Sequence, residues 1–172
     1  CFRISSEPRN MVEIIEGDHS TKFMHFGIVV SRFNDLITSN LLVGALEGFK
    51  ECRVNEENLK ILKVPGAFEI PQAAKKLCST GISIDAVVCL GAVIRGETSH
   101  FDYICAEASR GIGQVGLEFN IPVLFGVLTT ENLEQAIARS GSGSSNKGRE
   151  TALAAVEMAK LYKEMATLNK KL

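Results

Sequence analysis

From Phe26 onward the chain repeats one alternation: a short apolar run, a polar turn, then apolar residues at helical spacing. Phe26–Val30 (FGIVV) is rich in β-branched residues and is followed by Leu36, Ile37, Leu41, Leu42, Ala45, Leu46 and Phe49. That pattern predicts a strand feeding an amphipathic helix. The unit recurs as Leu59–Val64 then Ile70–Leu77, as Ala86–Leu90 then a helix beginning near Thr98, and as Pro122–Leu128 then Asn132–Ala138. A last stretch, Asn146 to Leu168, has the spacing of a long amphipathic helix. Residues 1–22 are polar and irregular apart from Met11–Ile15, and they predict an arm carrying one short strand.

Four strands alternating with helices predict right-handed crossovers and a parallel sheet covered on both faces, a three-layer α/β/α sandwich. A chain of 172 residues suits a single domain, expected to span 1–172. In open sheets of this kind ligands bind beyond the carboxyl ends of the strands. Attention therefore falls on Ser31–Asn34, Pro65–Glu69, Gly91–His100 and the stretch around Phe125–Thr130.

Composition narrows the classes. The 19 basic and 20 acidic residues give a formal net charge of −1, without the basic excess of a nucleic-acid binder. Uncharged runs such as Ile121–Thr130 are too short to cross a bilayer, which takes about 20 apolar residues. Five cysteines, at 1, 52, 78, 89 and 105, are odd in number and form no CxxC pair, so they read as reduced thiols rather than a disulfide framework or a zinc site. With cysteine at position 1, the numbering is expected to begin inside a longer product or at a processed end.

Two stretches mimic nucleotide motifs. RGIGQVG, residues 110–116, matches G-x-G-x-x-G, yet it follows a predicted helix instead of a strand, so its glycines are expected to permit close packing. SGSGSSNKGRE, residues 140–150, has the composition of a phosphate loop, but Lys147 precedes Gly148 and the segment joins two helices. It reads as a flexible connection in which Ser145 or Asn146 caps the next helix.

The strand ends offer chemistry, each with a plainer alternative. At the third, Gly91 and Gly96 are expected to bracket a turn, and Thr98 or Ser99 to cap a helix with His100 in its first turn. A helix start favours an anion, and an imidazole exchanges protons near neutrality; alternatively His100 supplements the cap or packs on Phe101. At the second, Glu69 either stabilises a helix N-terminus or accepts hydrogen bonds from ligand hydroxyls. At the first, Phe33 offers a flat face for a ring or is simply packed, and Asn34 or Asp35 is a ready N-cap. Arg139 ends a short helix as a solvated charge.

Taken in order, GIVVSRFND, VPGAFEIP, CLGAVIRGETSHFDY, VLFGVLTTENLEQAIARSG and NKGRETALAAVEMA resemble the 6,7-dimethyl-8-ribityllumazine synthase family over roughly Glu16 to Leu161. The resemblance implies a flavodoxin-like fold and a transferase of riboflavin biosynthesis. Such an enzyme condenses 5-amino-6-(D-ribitylamino)uracil with 3,4-dihydroxy-2-butanone 4-phosphate, releases phosphate and water, and needs no metal or organic cofactor. It implies Phe33 as a stacking face for the pyrimidine, Ala67, Phe68 and Glu69 on the ribityl chain and ring edge, and Ala92, Val93 and Ile94 as backbone contacts to the uracil. Glu97 and Thr98 match phosphate-binding positions that act through backbone amides, and His100 matches the proton-transfer residue. Phe125 and Arg139 match positions supplied by the adjacent subunit, the arginine pairing with the phosphate.

A site shared between chains implies at least a pentamer, and twelve pentamers form a sixty-subunit shell in some relatives. The Ser140–Lys147 connection lacks the insertion associated with members that form no shell, although Gly143 stands where many relatives have lysine. The resemblance further implies a cytoplasmic enzyme, with riboflavin synthase as a partner and neither nucleic acid nor membrane bound. The rival readings are a carrier that keeps the pocket without the chemistry, and a purely structural shell subunit. A carrier needs no proton-transfer residue, so His100 argues for the enzyme.

Overall fold

A computed structural model of the chain describes residues 23–168. The predicted Met11–Ile15 strand and the rest of the arm lie outside the described residues. The order is β1 (Phe26–Ser31), α1 (Asp35–Glu51), β2 (Leu59–Val64), α2 (Ile70–Cys78), β3 (Ala86–Ile94), α3 (His100–Phe119), β4 (Val123–Thr130), α4 (Leu133–Ser140) and α5 (Lys147–Leu168). Single 3₁₀ turns precede β2 and α2. All pairings are parallel and the strand order is β2-β1-β3-β4, so the crossover reverses direction between β1 and β3. That is the switch point at which doubly wound sheets leave a crevice.

The pleat sends alternate residues to opposite faces. Phe26, Ile28, Val30, Val88, Leu90 and Leu128 pack under α1 and α5, while Val29, Val87, Cys89 and Val127 pack under α2 and α3. Each fully buried aliphatic or aromatic side chain of this kind contributes about 1.5–3 kcal/mol. The central strands β1 and β3 are buried almost throughout, whereas the edge strand β2 exposes Lys60, Ile61 and Lys63. On the α1/α5 side small residues bring two helices together. Gly44 and Gly48 of α1 face Asn146, Arg149 and Ala152, with Ala155 and Ala159 continuing the α5 stripe.

Three expectations need correction. β3 does not stop at Leu90. β1 pairs with it only as far as Leu90, but β4 stays paired through Ile94↔Thr130, so Gly91 lies inside a strand and not at a turn. A side chain at Gly91 would crowd Ile70, Ser31 and Val127, which explains glycine there. Phe125 likewise sits within β4 opposite Cys89, not after a strand, because β4 spans Val123–Thr130.

The connection from α4 to α5 is pinned at its far end instead of being flexible throughout. Asn146 is buried; its amide donates to the carbonyls of Asn40, Ser140 and Gly141, and its Oδ1 accepts the Arg149 N–H at 3.1 Å. The nucleotide-like glycines do lie within α3. Gly111 accommodates Pro71 and Gly116 the Ile121 carbonyl, while nothing approaches Gly113 among the described residues. Cys52, Cys78, Cys89 and Cys105 are free thiols. Burial pushes Cys52 up to about 11 and Cys89 further, so neither is a nucleophile near neutral pH. No described helix is long and apolar enough to cross a membrane.

Candidate active site at the carboxyl end of the sheet

Backbone hydrogen bonds zip the first two strand ends together. The Arg32 N–H donates to the Val64 carbonyl at 2.8 Å and the Phe33 N–H to the Pro65 carbonyl at 3.0 Å. Asn34 then takes up a left-handed conformation, φ 59°, which asparagine tolerates better than most residues. It occupies the N-cap position of α1 without capping it. Its amide instead donates to the Ala92 carbonyl at 2.9 Å, bridging the switch point between β1 and β3. The first two strand-end loops are thereby tied to each other and to β3.

On these loops Phe33 is 70% exposed and Phe68 is 44% exposed. Phe33 is therefore not a packed aromatic; the order of its loop comes from the backbone bonds, leaving the ring uncovered. Ala67 is buried beneath the Ala67–Glu69 turn. Glu69 accepts the Gly66 N–H through Oε2 at 2.8 Å, so the acid closes its own loop and keeps Oε1 for another donor. Glu69 stands at the N-cap of α2 without a side-chain bond to that helix, so its carboxylate braces the 3₁₀ turn ahead of the helix.

Beyond Ile94 the chain turns through Gly96 into α3. Ser99 occupies the N-cap position without a side-chain hydrogen bond; Thr98 Oγ1 accepts the His100 N–H instead, at a long 3.4 Å. Among the described residues, the backbone N–H groups of Glu97 and Thr98 make no hydrogen bond, and both residues are exposed. Free amides at the start of a twenty-residue helix suit an anion. The His100 side chain is exposed, and among the described residues no hydrogen bond holds its imidazole.

Phe125 and Arg139 do not join this group. Phe125 lies at mid-strand on the edge strand β4, sharing a face with Val123 and Val127, 39% exposed and five residues before the strand ends. Arg139 donates to both carboxylate oxygens of Glu150, at 3.2 and 3.1 Å, and Lys147 reaches the same acid at 3.4 Å. No hydrogen bond or ion pair connects Arg139 to the loops above among the described residues.

Comparison with known proteins decides what this surface belongs to. Residues 23–163 match the family model described as 6,7-dimethyl-8-ribityllumazine synthase. The chain belongs to the 6,7-dimethyl-8-ribityllumazine synthase family. A protein of that name from Desulfatibacillum aliphaticivorans is 51% identical over 154 residues, covering 90% of this chain and 99% of the relative. One from Clostridium kluyveri is 52% identical over the same shares. The matched span of the lumazine synthase family begins where the described structure begins and takes in every loop of the candidate site.

One residue of this surface escaped the sequence reading. Arg95 donates from Nε to Glu131 at 2.7 Å and from both terminal nitrogens to Asp102 at 3.1 and 3.3 Å. Its guanidinium also lies 4.1 Å from the centroid of the Phe101 ring. Asp102 first, then Glu131, hold Arg95 above its ordinary pKa, so it is a permanent cation. No spacing rule pairs residues 95 and 131.

Proposed function

We propose that this chain, acting as one domain, forms 6,7-dimethyl-8-ribityllumazine from 5-amino-6-(D-ribitylamino)uracil and 3,4-dihydroxy-2-butanone 4-phosphate, releasing phosphate and water in the penultimate step toward riboflavin. Family membership and relatives identical at half their positions support the reaction. The observation that carries the site is the pair of uncovered rings, Phe33 and Phe68, on loops tied to the strand that leads to the open amides of Glu97 and Thr98.

In this reading Phe33 stacks on the pyrimidine. Ala67 and Phe68 shape the wall beside it, and Glu69 Oε1 accepts from the ribityl hydroxyls. Ala92, Val93 and Ile94 lie where β1 has ended, and the Asn34 bond marks the side on which Ala92 and Ile94 turn their backbone groups away from β4. The Glu97 and Thr98 amides receive the phosphate, with the Glu97 carboxylate in solvent. The amine of one substrate attacks the ketone of the other, a Schiff base forms, phosphate leaves and the ring closes. His100 carries protons between these steps. No metal or organic cofactor is required, because holding two reactive molecules in register supplies most of the acceleration, about 7–11 kcal/mol in favourable cases. Formation of the fluorescent lumazine from the two substrates tests the reading; a folded protein that binds both and forms none would reduce it to a carrier.

Phe125 and Arg139 serve the neighbouring subunit. Their separation from the strand-end loops of their own chain supports this, as does the exposure of the Arg139–Glu150 pair, 44% and 36%. An exposed pair is worth only about 0–1 kcal/mol, so exchanging it for a phosphate costs little. Arg139→Ala is expected to raise the KM for the phosphorylated substrate about 10- to 100-fold, the loss of a charge-assisted hydrogen bond, with a smaller effect on kcat. An unchanged KM would remove Arg139 from the site.

A shared site makes the pentamer the smallest active unit, and we assign the assembly as twelve pentamers in a shell able to accompany riboflavin synthase in the cytoplasm. Free thiols at Cys52, Cys78, Cys89 and Cys105 suit a reducing compartment. Light scattering of the purified protein is expected to show the sixty-subunit particle; pentamers or decamers alone would rule the shell out.

A further inference from the structure

We infer that Arg95 is a positioning residue that sets where His100 stands, an inference that rests on His100 being the proton-transfer residue. The imidazole has no hydrogen-bond partner of its own among the described residues. The segment before it, Gly96 to Ser99, is exposed, and a Cβ on Gly96 would meet nothing within 4 Å. Among the described residues, the hydrogen bonds inside this turn are the long one from the His100 N–H to Thr98 Oγ1 and a 3.1 Å bond from the Asp102 N–H to the Ser99 carbonyl. Neither connects the turn to the sheet, so the loop cannot fix its own height above the strand ends.

Arg95 makes that connection from both sides. Its backbone N–H donates to the Thr130 carbonyl at 2.9 Å, continuing the β3–β4 ladder by one rung. Its side chain then clasps Asp102 with two donors, lies over Phe101, and reaches across to Glu131 just beyond β4. Phe101 and Asp102 are the two residues immediately after His100. The first turn of α3 is thereby bolted to the β4–α4 turn through a planar cation whose fork fits a carboxylate in one orientation. Exposed ion pairs add little to global stability. Their effect here is on geometry, and a displacement of about 1 Å at a reacting group can cost as much as 100-fold in rate.

Arg95→Ala in the assembled enzyme is expected to lower kcat about tenfold while its melting temperature and particle size stay near the parent's. In a His100→Ala background the same change should lower kcat by less than about twofold, because the group being positioned is gone. Arg95→Lys should recover part of the loss, keeping the charge without the fork. Should Arg95→Ala fail to fold, Glu131→Gln serves instead, with about a threefold fall expected in the parent and none in the His100→Ala background. An unchanged kcat, or an equal fall with and without His100, overturns the inference. If His100→Ala itself leaves turnover intact, the proton-transfer reading has failed rather than the role of Arg95.

Discussion

Replacing His100 with alanine is expected to lower turnover by about 100-fold without abolishing it. General acid–base catalysis is worth about 10²–10⁴-fold, whereas bringing two reactants into register can supply far more. In the proposed site the two functions fall on different residues. The uncovered rings, the Glu69 loop and the open amides of Glu97 and Thr98 are all independent of the imidazole, so binding survives its loss. Because His100 is exposed at the start of α3 and holds no side-chain partner among the described residues, the variant should fold and assemble like the parent. Steady-state kinetics at saturating substrates measure kcat directly. Complete loss of activity in a folded, assembled His100→Ala protein would mean that proton transfer, not positioning, dominates.

The second large effect concerns the fold. Gly148→Ala is expected to destabilise the protein by about 3 kcal/mol or more, although helix propensity alone would favour alanine by about 1 kcal/mol. A Cβ at this position would overlap the Leu41 backbone carbonyl oxygen and crowd Asn146 Oδ1. Neither neighbour can yield cheaply. Leu41 is fully buried in α1, and Asn146 is committed to three carbonyls and one N–H. Relief requires α1 and α5 to move apart, opening the small-residue seam that seals one face of the sheet. Denaturant titration of parent and variant at equal subunit concentration tests this, since assembly adds to apparent stability. A variant as stable as the parent would show that the two helices have slack between them.

Much of the architecture was legible because a doubly wound sheet writes itself locally. The β2 boundaries, Leu59–Val64, were predicted without error, since a 3₁₀ turn before the strand and the Pro65–Gly66 turn after it mark both ends. The helical context of residues 110–116 predicts packing glycines, and Gly111 and Gly116 do take a close neighbour, Pro71 and the Ile121 carbonyl. The end of β3 was misjudged because a strand's length depends on its neighbours. Gly91 looked like a terminator, yet the register with β4 carries the pairing four residues further. Asn34 was legible as an N-cap residue but not as a bridge, since its partner at Ala92 is 58 residues away.

The sequence by itself determined the element order, the parallel sheet and the family, since period and motif are properties of neighbouring residues. It also singled out His100, Glu69 and Phe33 by type and place. Only the tertiary structure decided that Phe33 is uncovered, that Arg139 rests on Glu150 away from the strand-end loops, and that Arg95 spans Asp102 and Glu131. Exposure and long-range pairing depend on where separate segments arrive together, and one-dimensional spacing carries no record of that meeting.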